Sequence, residues 1–266
     1  MALPEPSSST AALVTGASSG IGVDLARELA GRGHNVVLVA RRVDPMEALA
    51  AELREAHGVR AEVLAADLID PEAVTALPAR IAELGLDIDI LINNAGYGSA
   101  GQFVDLDGRS ESDMVRLNCE TVVALSHAYA PKMVEGGAGA ILIVASSAGI
   151  QPIPGQATYA ASKAFALSFA EALHTELSHL GVAVTALCPG PVDTEFAERA
   201  GLTDAFASLP SFVRVSSPDC AKMAINALAR NRRIAVPGVA IKASVVSSRY
   251  TPHAVLLPML KRFYPA

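Results

Sequence analysis

Tryptophan is absent, cysteine occurs three times, and aromatic residues make up only 5% of the 266-residue chain. Cys119, Cys188 and Cys220 are odd in number and lack metal-ligand spacing, which argues against a disulfide scaffold and leaves buried, reduced thiols. None of the six histidines pairs with a cysteine or carboxylate cluster, so no metal is expected, and His174 and His179 read as surface or packing residues. No run of about 18 apolar residues occurs, so no transmembrane helix is expected. The opening MALPEPSSST has neither a basic n-region nor an apolar h-region, so no secretory signal is read and the chain is placed in the cytosol. Basic charge is sparse too: the net charge is −6, and the scattered Lys and Arg build no footprint for nucleic acid.

What the chain does contain is small and apolar. Hydrophobic residues are 51% of it and glycines number 20. That mix suits a parallel sheet buried under alanine-rich helices that sit close to the strands. Its length fits one large domain.

Short apolar, β-branched runs at 11–15, 35–40, 60–65, 88–92, 140–145, 182–187 and 233–236 alternate with helical patterns. The helices are expected near 20–32, 44–57, 71–84, 111–135, 157–180 and 218–230. Strands without polar alternation are buried on both faces, and strict β/α alternation with right-handed crossovers gives a doubly wound, α/β parallel sheet in a single domain. Asp70-Pro71 and Ser217-Pro218 each read as a cap followed by a first-turn proline. Gly181 supplies a left-handed end to the 157–180 helix.

In such sheets ligands bind beyond the carboxyl ends of the strands, and each motif here falls just after one. Thr15-Gly16-Ala17-Ser18-Ser19-Gly20-Ile21-Gly22 runs from the first strand into a helix. Glycines let the backbone turn and approach a pyrophosphate, and the helix start offers free N–H groups. By itself such a turn is also an ordinary strand-to-helix connection. At the end of the second strand, Val39-Ala40-Arg41-Arg42 puts alanine where an NAD site usually has a carboxylate. A guanidinium follows at once, suited to a 2′-phosphate, so the cofactor is read as NADP(H). Asp67-Leu68 and Asn93-Asn94-Ala95-Gly96 end the third and fourth strands. Asp67 suits either a helix cap or the adenine amino group, with Leu68 packing on the ring.

Tyr159 and Lys163 stand at i and i+4, on one helix face one turn apart. Carbonyl reduction develops negative charge on oxygen and needs a proton donor there. A nearby ammonium is expected to bring a tyrosine's pKa, ordinarily about 10, towards neutrality. Ser146-Ser147 ends the fifth strand, 13 residues before the tyrosine in the case of Ser146, and the strand pattern does not choose between the two serines. Asn118 lies inside an expected helix, where asparagine competes for backbone bonds and a local kink would fit.

Together these pieces resemble the short-chain dehydrogenase/reductase family over nearly the whole length: TGASSGIG at 15–22, Asp67, NNAG at 93–96, Asn118, Ser146, Tyr159-x-x-x-Lys163 and Pro189-Gly190. The resemblance implies a seven-stranded parallel sheet, a nicotinamide cofactor and alcohol/ketone redox chemistry. Tyr159 would be the acid/base, Lys163 would bind the nicotinamide ribose and Ser146 would hold the substrate oxygen. Asn118 would support a proton relay. Gly16, Ser18, Ser19, Gly20, Ile21, Gly22, Arg41, Asp67, Leu68, Asn94, Ala95 and Gly96 would line the dinucleotide. Pro189, Gly190, Val192 and Thr194 would reach its nicotinamide end. Relatives are often homodimers or homotetramers built on the long helices.

Substrate choice is expected from 147–155, 191–215 and the C-terminal tail. Ile150, Ile153, Phe196, Phe206, Leu209 and Phe212 either line an apolar pocket or pack a lid. Residues 1–236 read as the catalytic domain and 237–266 as an extension that packs on the domain or a sister subunit, covers the site, or rests on a membrane surface. The leading expectation is an NADP(H)-linked reductase of an apolar small-molecule ketone. A 3-oxoacyl carrier-protein or coenzyme A reductase and a non-catalytic NADP(H) sensor are the rivals.

Overall fold

A computed structural model describes residues 3–202, 210, 213–238, 241, 242, 251, 254, 257 and 258. Seven strands appear at the expected places: β1 (Thr10–Thr15), β2 (Asn35–Ala40), β3 (Ala61–Ala65), β4 (Asp87–Asn93), β5 (Gly139–Val144), β6 (Val182–Leu187) and β7 (Ile234–Ala235). They form one parallel sheet in the order β3-β2-β1-β4-β5-β6-β7. The expected doubly wound, single-domain α/β fold is the one observed. The chain winds outward from β1 to β3 and returns to place β4 beside β1, so the ends of β1 and β4 flank the crevice where such sheets bind ligands.

The absence of polar alternation in the strands has a direct structural counterpart. Along β1, Ala12 and Val14 face one apolar layer while Ala11 and Leu13 face the other. The first layer is completed by Leu25 and Leu29 of α1 (Ile21–Ala30), Met46 and Leu53 of α2 (Val43–His57), and Ala224 and Leu228 of α8 (Ser217–Ala229), which follows the short α7 (Phe196–Arg199). The second is completed by Leu77 of α3 (Pro71–Ala82), Leu125 of α5 (Thr121–Glu135) and Ala166 and Ala170 of α6 (Ala157–Leu177). Alanines on α6 and α8 let these helices lie close to the sheet. No described helix is long and apolar enough to cross a membrane.

Local signals act as expected in most places. The Asp70 carboxylate caps α3 by accepting from Glu72 N, with Pro71 in the first turn. Gly181 takes the left-handed conformation, φ 90°, after α6 and its 3₁₀ tail. Two expectations are corrected. Ser216, not Ser217, caps α8: its hydroxyl accepts from Asp219 N and donates to the Asp219 carboxylate at 2.6 Å, a reciprocal arrangement that Ser217 is one residue too late to make.

The single helix expected over 111–135 is instead interrupted. It begins earlier as α4 (Gly108–Val115), where the Asp107 carboxylate accepts from Arg109 N and Ser110 N. A π-turn over Arg116–Glu120 then joins it to α5. Asn118 sits in that turn and bonds both edges of the Tyr97 peptide, accepting from Tyr97 N at 3.3 Å and donating to Tyr97 O at 3.0 Å. A side chain so engaged with another segment's backbone favours the irregular turn over a continuous α-helix.

Candidate active site

The ends of β1 and β4 are tied together through one hydroxyl. Thr15 Oγ1 donates to Ile92 O at 3.0 Å and accepts from Asn94 N at 2.9 Å and Ala95 N at 3.0 Å, which uses its full hydrogen-bonding capacity. Asn94 returns the tie by donating to Thr15 O at 2.8 Å. Between these ends the glycine turn is packed to contact. A Cβ on Gly22 would lie 2.5 Å from Gly16 O and 2.6 Å from Asn94 Nδ2, so no larger residue fits without a backbone shift. Gly16 has φ 67° and equally little room. Gly20 precedes α1 without any side-chain cap, so the first N–H groups of the helix open towards the cavity.

That cavity, about 1440 Å³, runs along the carboxyl edge of the sheet. Gly16, Ser18, Ser19, Gly20, Ile21, Arg41, Asp67, Leu68, Asn94, Ala95 and Gly96 line it, as do Ser146, Tyr159, Lys163, Pro189, Gly190, Val192 and Thr194. Gly22 and Asn118 do not, and they act one layer behind. Its size accommodates an extended dinucleotide together with a second molecule. The glycine cradle and the uncapped helix start fit a pyrophosphate.

The two arginines after β2 divide their work. Arg42 donates to Ser18 O at 3.1 Å and pairs with Glu195 at 3.2 Å, joining the glycine turn to the segment that follows β6. Arg41 is exposed, lines the cavity and makes no hydrogen bond or ion pair among the described residues. Asp67 accepts from Ile69 N at 3.1 Å, a local turn bond that leaves its carboxylate exposed at the cavity wall.

At the other end, Ser146, Tyr159 and Lys163 are all buried. Ser146 terminates β5 and accepts from Ala148 N at 3.1 Å, opening a 3₁₀ turn over Ser147–Ile150. Ser146 is buried beside Tyr159 in the cavity wall, and its side chain acts to lower the tyrosine's pKa. Lys163 Nζ donates to Val144 O at 2.8 Å and lies 6.0 Å from the Tyr159 ring centre. Asn118 reaches the same helix through Ser162: Asn118 Nδ2 donates to Ser162 Oγ at 2.9 Å, and Ser162 donates to Tyr159 O at 2.8 Å. Ser162 was not singled out from the sequence, although its place between Tyr159 and Lys163 on one turn was the available signal.

The expected lowering of the tyrosine's pKa is not what the structure shows. Burial pushes the Tyr159 phenol up to about 12, opposed by the Ser146 side chain. Burial likewise draws the Lys163 ammonium down to about 8, opposed by the nearby thiols of Cys119 and Cys188. At both groups the loss of water around the charged form outweighs what neighbouring side chains return.

The cavity wall is tight around the tyrosine. The Phe196 ring lies 5.5 Å from the Tyr159 ring, and a Cβ on Gly98 would come within 3.0 Å of both rings. Ile150 and Ile153 line the cavity beside them; Phe206, Leu209 and Phe212 lie outside the described residues. Ile241 and Thr251, from the 237–266 extension, also line it, whereas most of that extension is outside the described residues. Gly190 abuts Ile241 so closely that a Cβ there would come within 2.6 Å of it.

A sequence-family model described as short chain dehydrogenase matches residues 10–204. The chain belongs to the short-chain dehydrogenase family. This dehydrogenase is therefore an oxidoreductase of the CH–OH/C=O pair that uses a nicotinamide cofactor. It is 39% identical over 198 residues to a monensin polyketide synthase putative ketoacyl reductase of Streptomyces virginiae, covering 73% of this chain and 74% of the relative. A short-chain dehydrogenase from Sphingobium yanoikuyae in complex with NADPH is 36% identical, with a TM-score of 0.80 over 90% of this chain and 92% of that one. A bulky-bulky ketone specific alcohol dehydrogenase from Comamonas testosteroni is 32% identical, with a TM-score of 0.77 over 91% of this chain and 93% of that one.

Proposed function

We propose that this dehydrogenase is an NADP(H)-linked carbonyl reductase of apolar ketones. The observation that carries the reading is one continuous cavity with an uncommitted Arg41 at one end and the Ser146–Tyr159–Lys163 group at the other. Ala40 stands where a carboxylate would select NAD, and Arg41 beside it is available to pair with a 2′-phosphate. The NADPH held by the Sphingobium relative supports that choice. Gly16, Ser18, Ser19, Gly20, Ile21 and Gly22 form the pyrophosphate cradle, and Asp67 and Leu68 flank the adenine. Asn94, Ala95, Gly96, Pro189, Gly190, Val192 and Thr194 form the walls towards the nicotinamide.

Bound nicotinamide supplies the hydride. Ser146 donates a hydrogen bond to the substrate carbonyl oxygen, and Tyr159 donates the proton as charge develops there. Lys163 binds the ribose hydroxyls. Asn118 is a positioning residue that holds the Tyr97 strap and, through Ser162, the turn that carries Tyr159. A phenol raised to about 12 is protonated near neutral pH, the form that donates to a developing alkoxide.

A 3-oxoacyl thioester is the second reading, favoured by the name of the Streptomyces relative. A carrier protein would need a basic patch at the site mouth, but Arg214, next to Val213 of the cavity wall, is paired with Asp193 at 3.4 Å. Exposed Val115, Val123 and Phe165 on α4, α5 and α6 suit a homodimer or homotetramer contact across the long helices. The free thiols suit a reducing compartment such as the cytosol.

The test is NADPH consumption with bulky ketones and with 3-oxoacyl thioesters, in wild type and Tyr159→Phe. Removing the proton donor is expected to lower kcat about 10²–10⁴-fold with NADPH affinity kept. Unchanged turnover in Tyr159→Phe would remove the tyrosine from the chemistry.

A further inference from the structure

The substrate end of the cavity is mostly apolar, with Ile150, Ile153, Phe196 and Leu202 in its wall, yet two neutral amides stand among them. Gln151 follows the 3₁₀ turn that begins at Ser146, and its Oε1 is fully buried without a hydrogen-bond partner. Gln156 is 8% exposed and occupies the N-cap position of α6, three residues before Tyr159. Its side chain makes no capping bond to the helix, so the ordinary reason for a polar residue there does not apply. Both line the cavity.

Buried polar groups are nearly always paired, and one left unpaired beside a ligand cavity points to a partner on the ligand. The amide can present either its oxygen or its N–H₂ by rotating half a turn, so it can meet a donor or an acceptor, and a hydroxyl or amide supplies either. A neutral amide does not compensate a full charge, which disfavours a carboxylate or phosphate at this place.

On the reading of this site as a carbonyl reductase, we infer that Gln151 and Gln156 form a polar subsite. It recognises an uncharged hydroxyl or amide group on an otherwise apolar ketone. The pair comes from two segments of the cavity wall, the turn after Ser146 and the residue before α6, so it would fix which end of a bifunctional ketone enters. Apolar contacts with Ile150, Ile153 and Phe196 hold the body of the molecule, and the amides set its register.

The experiment compares a bicyclic aryl ketone carrying a hydroxyl at each ring position in turn with the matching methyl-substituted series. Reduction is followed by NADPH consumption, and binding to the protein–NADPH complex by the cofactor's fluorescence. In wild type at least one hydroxyl isomer is expected to exceed its methyl partner at least tenfold in kcat/KM. Gln151→Leu and Gln156→Leu, made separately, should bring that ratio to within about twofold while leaving NADPH affinity and reduction of the methyl ketone intact. Retained methyl-ketone turnover shows that each variant is folded, and loss in one variant leaves the other to report.

Equal turnover of the two series in wild type, or an unchanged preference in both variants, would overturn the subsite and leave the reductase reading standing. A hydroxyl preference in binding that both variants erase, with no ketone reduced, would leave the subsite standing and sink the reductase reading.

Discussion

The two ends of the cavity are built by opposite strategies. At the dinucleotide end, regular elements meet: β1 and β4 end side by side, Thr15 joins them with three hydrogen bonds, and Gly22 leaves no room for a methyl group. At the other end the wall is assembled from short segments distant in sequence, among them the turns around Gln151 and the four-residue helix that begins at Phe196. A cradle fixed by backbone suits one unvarying ligand. Side chains on loops, positioned by that scaffold, can change with the substrate.

The sharpest way to break this comparison is Gly22→Ala. Its Cβ would collide with the Gly16 carbonyl, so about 2 kcal/mol of stability should be lost, together with at least a hundredfold in cofactor affinity. Melting and fluorescence titration would read both; a silent substitution would mean that the cradle is not rigid.

A smaller effect separates the chemistry from the scaffold. The buried Lys163 ammonium gives up its proton near pH 8. Below that value it is charged, and above it kcat/KM for reduction should fall by about tenfold per pH unit. Unfolding would not explain such a fall. Between pH 8 and the ordinary lysine value of 10.5 the folded chain binds fewer protons at Lys163 than the unfolded chain, so this group's contribution to stability rises with pH. Tyr159, at about 12, remains protonated across that window. A flat profile to pH 9.5 would remove Lys163 as a charged participant.

The smallest expected effect lies at the substrate end. Phe196→Ala removes an aromatic contact with Tyr159 worth about 1 kcal/mol. Because Phe196 also lines the cavity, its truncation should separately raise KM for a bulky ketone roughly fivefold, with cofactor affinity unchanged. A change in cofactor affinity instead would show that the two ends are not independent.

The same contrast explains what could be read from the residues alone. All seven strands and the glycine turn were legible because burial on both faces leaves unbroken apolar runs, and because close approach to backbone admits only glycine. The Tyr159–Lys163 spacing was legible because a helix puts i and i+4 on one face. Ser216 as the cap of α8 was missed by one residue, since two adjacent serines before a proline are equivalent until the geometry separates them. The π-turn was hidden because Asn118 is bound to Tyr97, 21 residues away in sequence. The direction of the tyrosine's pKa depended on burial that no spacing reveals, and the amides of Gln151 and Gln156 became noticeable only once their lack of partners was visible.

The most direct test of the central claim is a fluorescence titration of wild type and Arg41→Ala with NADPH and NADH. Pairing of Arg41 with a 2′-phosphate predicts NADPH binding tighter than NADH by about 10–100-fold, a margin lost in the variant while NADH affinity stays the same. Equal affinities in wild type, or a margin that survives removal of the guanidinium, would contradict the assignment of this end of the cavity to NADP(H).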